Sequence, residues 1–234
     1  MVNIRKFVGL LELVARQSRA YLATNVFYGV MFPIAFILSF ETSIRSAQVL
    51  AGTLTLYIFM NVFIGTAQST AFLKYSGEMS LLYVTKTPRW MIVLSFVVYQ
   101  LASTLPMAVG LVFLGETLVP IKVSWLPLLV TYLVGAMYAF LLGTALGLVT
   151  SLRTANQLSQ VLGWTFSFFA PTFISLQSLP PFLRFLSLLE PTTPLAQELV
   201  NNLEGRTSLN SMLVMLAYLV VSMVLYRLAE NRVT

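Results

Sequence analysis

The chain contains no cysteine and no histidine, and its eight acidic residues are all glutamates. Disulfides, thiolate nucleophiles, Cys or His metal sites, Ser/His hydrolysis and aspartyl proteolysis within a membrane all lack their reagents. Neither G-x-x-x-x-G-K-[ST] nor G-x-G-x-x-G occurs, so the chain has no phosphate cradle and does not itself hydrolyse ATP. Charge of either sign is scarce, at 9% of 234 residues. What fills the space is apolar: 58% of residues are hydrophobic and the mean hydropathy is +0.84. That is more apolar surface than a soluble core of this length can bury, and no polar stretch of domain size interrupts it. The composition predicts an all-α integral membrane protein, one membrane domain over residues 1–234.

A helix needs about 20 apolar residues to cross about 30 Å of hydrocarbon. Windows that qualify fall at 22–40, 47–73, 91–114, 125–150, 157–178 and 209–226, predicting six transmembrane helices. Residues 179–208, with Pro180, Pro181, Pro191 and Pro194, read as too broken and too polar to span. Sorting the basic residues by side groups Arg5, Lys6, Arg16, Arg19, Lys74, Lys86, Arg89, Arg153, Arg227 and Arg232 together. The opposite side holds Arg45, Lys122, Arg184 and Arg206, with Glu41, Glu116, Glu190, Glu198 and Glu204. The positive-inside rule then places both termini and the 74–90 loop in the cytoplasm of a multi-pass cell-membrane protein. The net charge of +6 is inner-leaflet and loop charge, and calls for no nucleic-acid partner.

Residues 3–20 place Ile4, Phe7, Val8, Leu11 and Val14 at helical spacing, with Arg5, Glu12, Arg16 and Arg19 opposite. An amphipathic helix on the inner surface, in contact with membrane lipid, is expected rather than a signal peptide. By the span boundaries every Glu falls in a loop or at a span end, which disfavours proton-coupled transport. The polar residues inside the spans are uncharged. Tyr57, Asn61, Gly65 and Gln68 step along one face of the second span, and Asn156, Gln160, Trp164, Ser167 and Pro171 along the fifth. They are candidate linings of a pathway, or else bridges between helices. Gly135, Ala139, Gly143 and Gly147 repeat every four residues in the fourth span and predict close helix packing.

The stretch SGEMSLLYVTKTPRW, residues 76–90, interrupts this pattern. Gly77 breaks the exit from span two, Glu78 suits the first turn of a helix, and Pro88 stops it before span three. Leu81 and Leu82 then lie in a cytosolic helix whose apolar face fits a groove on another protein. Gly77, Leu81, Leu82, Thr85, Pro88 and Arg89 resemble the loop after the second span in permease subunits of ABC-2 type transporters. Departures are Lys74 and Tyr75, where an acidic residue is usual, and Lys86-Thr87, which separates Thr85 from Pro88.

A second match is LPPFLRFLSLLEPTTPL, residues 179–195, which is similar to that family's outer segment between spans five and six. Pro180 and Pro191 carry it, and Glu190 stands where the family has Asn. From its residues alone the segment is amphipathic, helical between prolines and partly buried, a short extracellular cap or gate that includes Pro181.

The resemblance implies that residues 76–89 are a coupling helix docking on a separate ABC ATPase subunit, present in two copies, which binds the ATP and Mg²⁺. The chain itself would hold no cofactor. It also implies a second permease subunit, most simply a homodimer, and export of a substrate. The uncharged spans point to an amphipathic or hydrophobic one: a drug, a lipid or a lipid-linked glycan. Rival readings are an ATPase-independent carrier or channel, a Ser/Lys hydrolase built on Lys122 and Ser124, and a non-transporting scaffold.

Overall fold

Continuous apolar runs with no water to satisfy the backbone leave the helix as the only open solution for a crossing segment. Among the described residues, four helices are long and apolar enough: Ala47–Tyr75, Met91–Leu118, Trp125–Val149 and Leu209–Glu230. They match the second, third, fourth and sixth windows. The structure, a computed structural model, describes residues 7–12, 15, 31, 34–35, 38, 47–84, 88–118, 121–168, 172–173 and 176–232. Most of the window at 22–40, most of the surface helix at 3–20, Thr85 and Pro171 lie outside them. So do the side chains of Leu82 and Arg89.

The first crossing is one helical path: α1 (Ala47–Ile58), a π-helical segment (Phe59–Ile64) and α2 (Gly65–Tyr75). There follow α3 (Glu78–Val84), α4 (Arg89–Leu118), α5 (Trp125–Val149), α6 (Leu152–Phe168), α7 (Pro181–Leu188), α8 (Thr192–Leu203) and α9 (Leu209–Glu230). No strand occurs among the described residues. Hydroxyls within the helices are satisfied locally. Thr53, Thr55, Thr144 and Ser222 donate to the carbonyls of Val49, Ala51, Phe140 and Tyr218, four residues back, which spares their desolvation cost.

Packing is tightest where the side chains vanish. A Cβ on Gly143 would lie 2.4 Å from the Phe63 carbonyl oxygen, and one on Gly147 would lie 2.5 Å from that of Ala67. The backbones of α2 and α5 are therefore in direct contact, with Ala139 fully buried on the same face. Gly135 makes room for Leu195 of α8, 2.7 Å from where its Cβ would stand. Phe59 and Phe63 stack with Phe166 of α6, centroids 6.1 and 6.0 Å apart, and Phe59 also meets Tyr138 of α5. The α1–α2 path and α5 thus form the centre. α9 packs along α5, α6 along α2, and α4 beside α1.

The structure refines three expectations. The fifth window is 157–178, and the described part of its helix, Leu152–Phe168, starts five residues earlier. Thr172 and Phe173 form a bend and Leu176–Ser178 a 3₁₀ turn. Thr172 donates to the Ser167 carbonyl, in the last turn of α6.

Second, the outer segment after it divides in two. α7 does lie exposed, but α8 is packed between α1, α5 and α9, with Thr192, Leu195, Ala196, Glu198, Asn202 and Leu203 at 0% exposure. Its prolines sit at the helix start, where a missing N–H costs nothing. Third, Glu198 is neither in a loop nor at a span end. It is buried inside α8, and both its oxygens accept the Ser208 N–H at 3.1 Å, starting α9.

The end of α8 is tied to the α4–α5 connection: Lys122 N–H donates to the Leu203 carbonyl and Ser124 N–H to that of Asn202, at 3.0 and 2.8 Å. Those two residues spend their backbones on this pairing.

Candidate functional site

The inner arm is built by a helix stop and a restart. Ser76 N–H closes α2 on the Phe72 carbonyl, and Gly77 takes φ +78°, the left-handed conformation that suits glycine. The Gly77 carbonyl then accepts from the N–H groups of Ser80 and Leu81, at 3.1 and 3.2 Å, and begins α3. Glu78 stands in the first turn, where a negative charge offsets the helix dipole. Leu81 is 66% exposed and Val84 78%, beside Tyr75 at the end of α2 at 76%. Pro88 is exposed, and its carbonyl accepts from Met91 and Ile92 to open α4. Behind α3, Met79 lines a small, largely apolar cavity of about 50 Å³ with Leu73, Phe96, Phe140, Leu148 and Tyr226.

Lys74 lies three residues before this arm. Its ammonium donates to the carbonyls of Leu148 and Thr150, both at 2.6 Å, where α5 ends and α6 is about to begin.

A second set of polar groups lies within the bundle. Tyr57 is 2% exposed and its hydroxyl donates to the Thr104 carbonyl of α4 at 3.1 Å, so it acts as a bridge between helices. Tyr132 of α5 donates to Thr104 Oγ1 at 2.7 Å, and that hydroxyl donates to the Gln100 carbonyl. Gln100 Nε2 reaches the Asn61 carbonyl at 3.1 Å within the π-helical segment, and Asn61 Nδ2 donates to the Tyr57 carbonyl. The chain of bonds joins α1, α4 and α5 at the place where the helix departs from α geometry, a feature that recurs at functional sites.

Asn61 and Gln68 are partly exposed and flank Gly65, around whose Cβ position nothing lies within 4 Å. That face is open. On α6, Asn156 is exposed, Gln160 and Trp164 are half-buried, and Ser167 is fully buried with its hydroxyl spent on the Gly163 carbonyl. Gly163 itself rests on Ile64.

At the other end, Pro180 and Pro181 start α7, whose Phe182 and Phe185 are exposed. The Pro191 carbonyl accepts the Tyr138 hydroxyl at 2.8 Å. Glu190 is buried, Oε2 has no hydrogen-bond partner, and its charge is felt at Tyr218 of α9. Burial pushes its carboxyl up to about 8.

No cluster of three His, Cys, Asp or Glu exists among the described residues. Lys74, Gln100, Thr104 and Tyr132 carried no signal in the sequence, since their partners lie 28 to 76 residues away.

No curated protein matches the chain. A family match covers the arm, the polar faces and the outer segment alike: residues 10–203 fit the family described as ABC-2 type transporter, and the chain belongs to it as a membrane component of an ABC transporter.

Proposed function

We propose that the chain is the permease subunit of an ATP-driven exporter, a six-span bundle in the cell membrane with both termini cytoplasmic. It works with two copies of a separate ABC ATPase and with a second permease, most simply another copy of itself. Nucleotide-driven closure of the ATPases displaces α3, and the bundle answers by exchanging an inward-open for an outward-open packing. The open faces of α2 and α6 offer amides and an indole but no charge, which favours an amphipathic or hydrophobic cargo such as a drug, a lipid or a lipid-linked glycan.

The observation that carries this reading is the arm. A seven-residue helix with Leu81 and Val84 turned away from the bundle exposes apolar surface that none of the described residues covers. Leu82, Thr85 and Arg89 extend the same docking stretch.

The test is co-purification from the native membrane. Leu81→Asp with Leu82→Asp is expected to lower recovery of the ATP-binding subunit at least tenfold while thermal unfolding in detergent stays as in the wild type. Undiminished recovery removes the docking role. The carrier or channel reading predicts instead that the purified chain in nucleotide-free vesicles concentrates a fluorescent amphiphile such as Hoechst dye. No accumulation is expected without the ATPase and ATP.

A further inference from the structure

A displaced helix does work only if something stiff receives the displacement. The turn between α2 and α3 is built on Gly77, at φ +78° with no neighbour within 4 Å of its Cβ position. Beyond it, α3 touches the bundle through Met79, which packs against Ala145 and Leu148 of α5 and Ala229 of α9. Directly before the turn the chain is held by hydrogen bonds as well. Lys74 donates to the carbonyls of Leu148 and Thr150. Those carbonyls are orphans of the last turn of α5, and a lysine there also meets the negative end of the helix dipole.

Thr150 is extended, at φ −110° and ψ 163°, and is followed by Ser151. Ser151 Oγ accepts the Thr154 N–H and its carbonyl accepts that of Ala155 to start α6. One ammonium therefore grips the corner at which two helices meet. Both of them already lie against the first crossing, α5 by the backbone contacts at Gly143 and Gly147, and α6 along α2 and, in the π-helical segment before it, through Gly163 on Ile64 and the Phe63–Phe166 pair.

We propose that Lys74 is a positioning residue: it locks the base of the coupling arm to the α5–α6 corner, so that α2, α5 and α6 move with α3 as one body. The inference rests on the reading of α3 as the ATPase-docking helix and adds the route by which its motion enters the membrane. The route leads to the open faces of the first crossing and of α6, carrying Asn61, Gln68, Asn156 and Gln160. α4, on the far side of the arm, meets α3 at the cavity lined by Met79 and Phe96 but shares no comparable hydrogen-bonded anchor with it among the described residues.

Absence of native cysteine allows the test in the intact chain. Spin labels on Ser80→Cys in α3 and Arg153→Cys in α6 report their separation in nanodiscs by dipolar spectroscopy. One narrow distance distribution is expected with Lys74 and with Lys74→Arg, and a distribution at least twice as broad with Lys74→Met. Equal widths for the Lys and Met forms overturn the proposal. If the Met variant is not recovered folded, Lys74→Gln is read by the same criterion.

The second arm uses the complex with its co-purified ATPase. Gln160→Cys is exposed to a membrane-impermeant maleimide with and without ATP and vanadate. The nucleotide-dependent change in labelling rate is expected to fall at least fivefold in Lys74→Met and to return in Lys74→Arg, with the ATPase still bound. An undiminished change defeats the proposal. A wild-type chain that recovers no ATPase defeats the docking reading instead, and the label distances still decide the role of Lys74.

Discussion

A glycine is judged by what a methyl group in its place would strike. At Gly143 the Cβ of alanine would stand 2.2 Å from Thr66 Oγ1 and 2.4 Å from the Phe63 carbonyl. The second is backbone and cannot step aside, so Gly143→Ala should cost about 1–3 kcal/mol. At Gly65 nothing lies within 4 Å, and Gly65→Ala should lose nothing. Thermal unfolding of the two variants in one detergent reads the difference directly, and equal midpoints would contradict the α2–α5 contact.

Glu190 gives the residue scale its pH dependence. Its carboxyl titrates at about 8 when folded, against a usual 4.5, so between those values the folded chain holds a proton that the unfolded chain has released. Stability must then fall as pH rises from about 5 to 8. Glu190→Gln, neutral throughout, is expected to flatten that slope in unfolding midpoints taken across the range. A wild-type profile as flat as the variant's would count against the buried, unpartnered carboxyl.

Among the elements, α7 and α8 are neighbours in sequence and opposites in environment. Leu195 is fully buried, and Leu195→Ala should cost about 2–5 kcal/mol through the cavity it leaves. Phe185 is 61% exposed, and Phe185→Ala should stay within about 0.5 kcal/mol. The contrast was hidden in the sequence for a definite reason. Runs of twenty apolar residues announce α4, α5 and α9, because lipid tolerates nothing else. α8 is a helix that neighbours rather than lipid surround, so it can be polar. Thr192 donates to the Phe166 carbonyl and Asn202 to Thr131 Oγ1, 26 and 71 positions away, and no local pattern reveals such distant partners. The π-helical turn at Phe59–Ile64 is likewise without a residue signature. The arm was legible because Gly77 and Pro88 punctuate it, whereas its anchor at Lys74 depends on carbonyls 74 and 76 positions on.

For the whole molecule the first question is sidedness. Leu81 and Leu188 are both more than half exposed, at 66% and 52%, and lie at opposite ends of the positive-inside arrangement. Leu81→Cys and Leu188→Cys should therefore react with an impermeant maleimide from opposite faces of sealed vesicles. Reaction from one face would overturn the assignment of the loops.

The seating of α8 has a further consequence, for biosynthesis. The ribosome delivers α1 to α6 before Thr192 exists, so the slot that Leu195, Leu199 and Leu203 will fill stands vacant in the nascent protein. Lys122 and Ser124 wait with it for the carbonyls of Leu203 and Asn202. Helices made earlier must hold this gap until the last fifth of the polypeptide arrives. A lesion in α8 should accordingly act late in assembly, at the closing of the bundle rather than at the insertion of α1, α4 or α5.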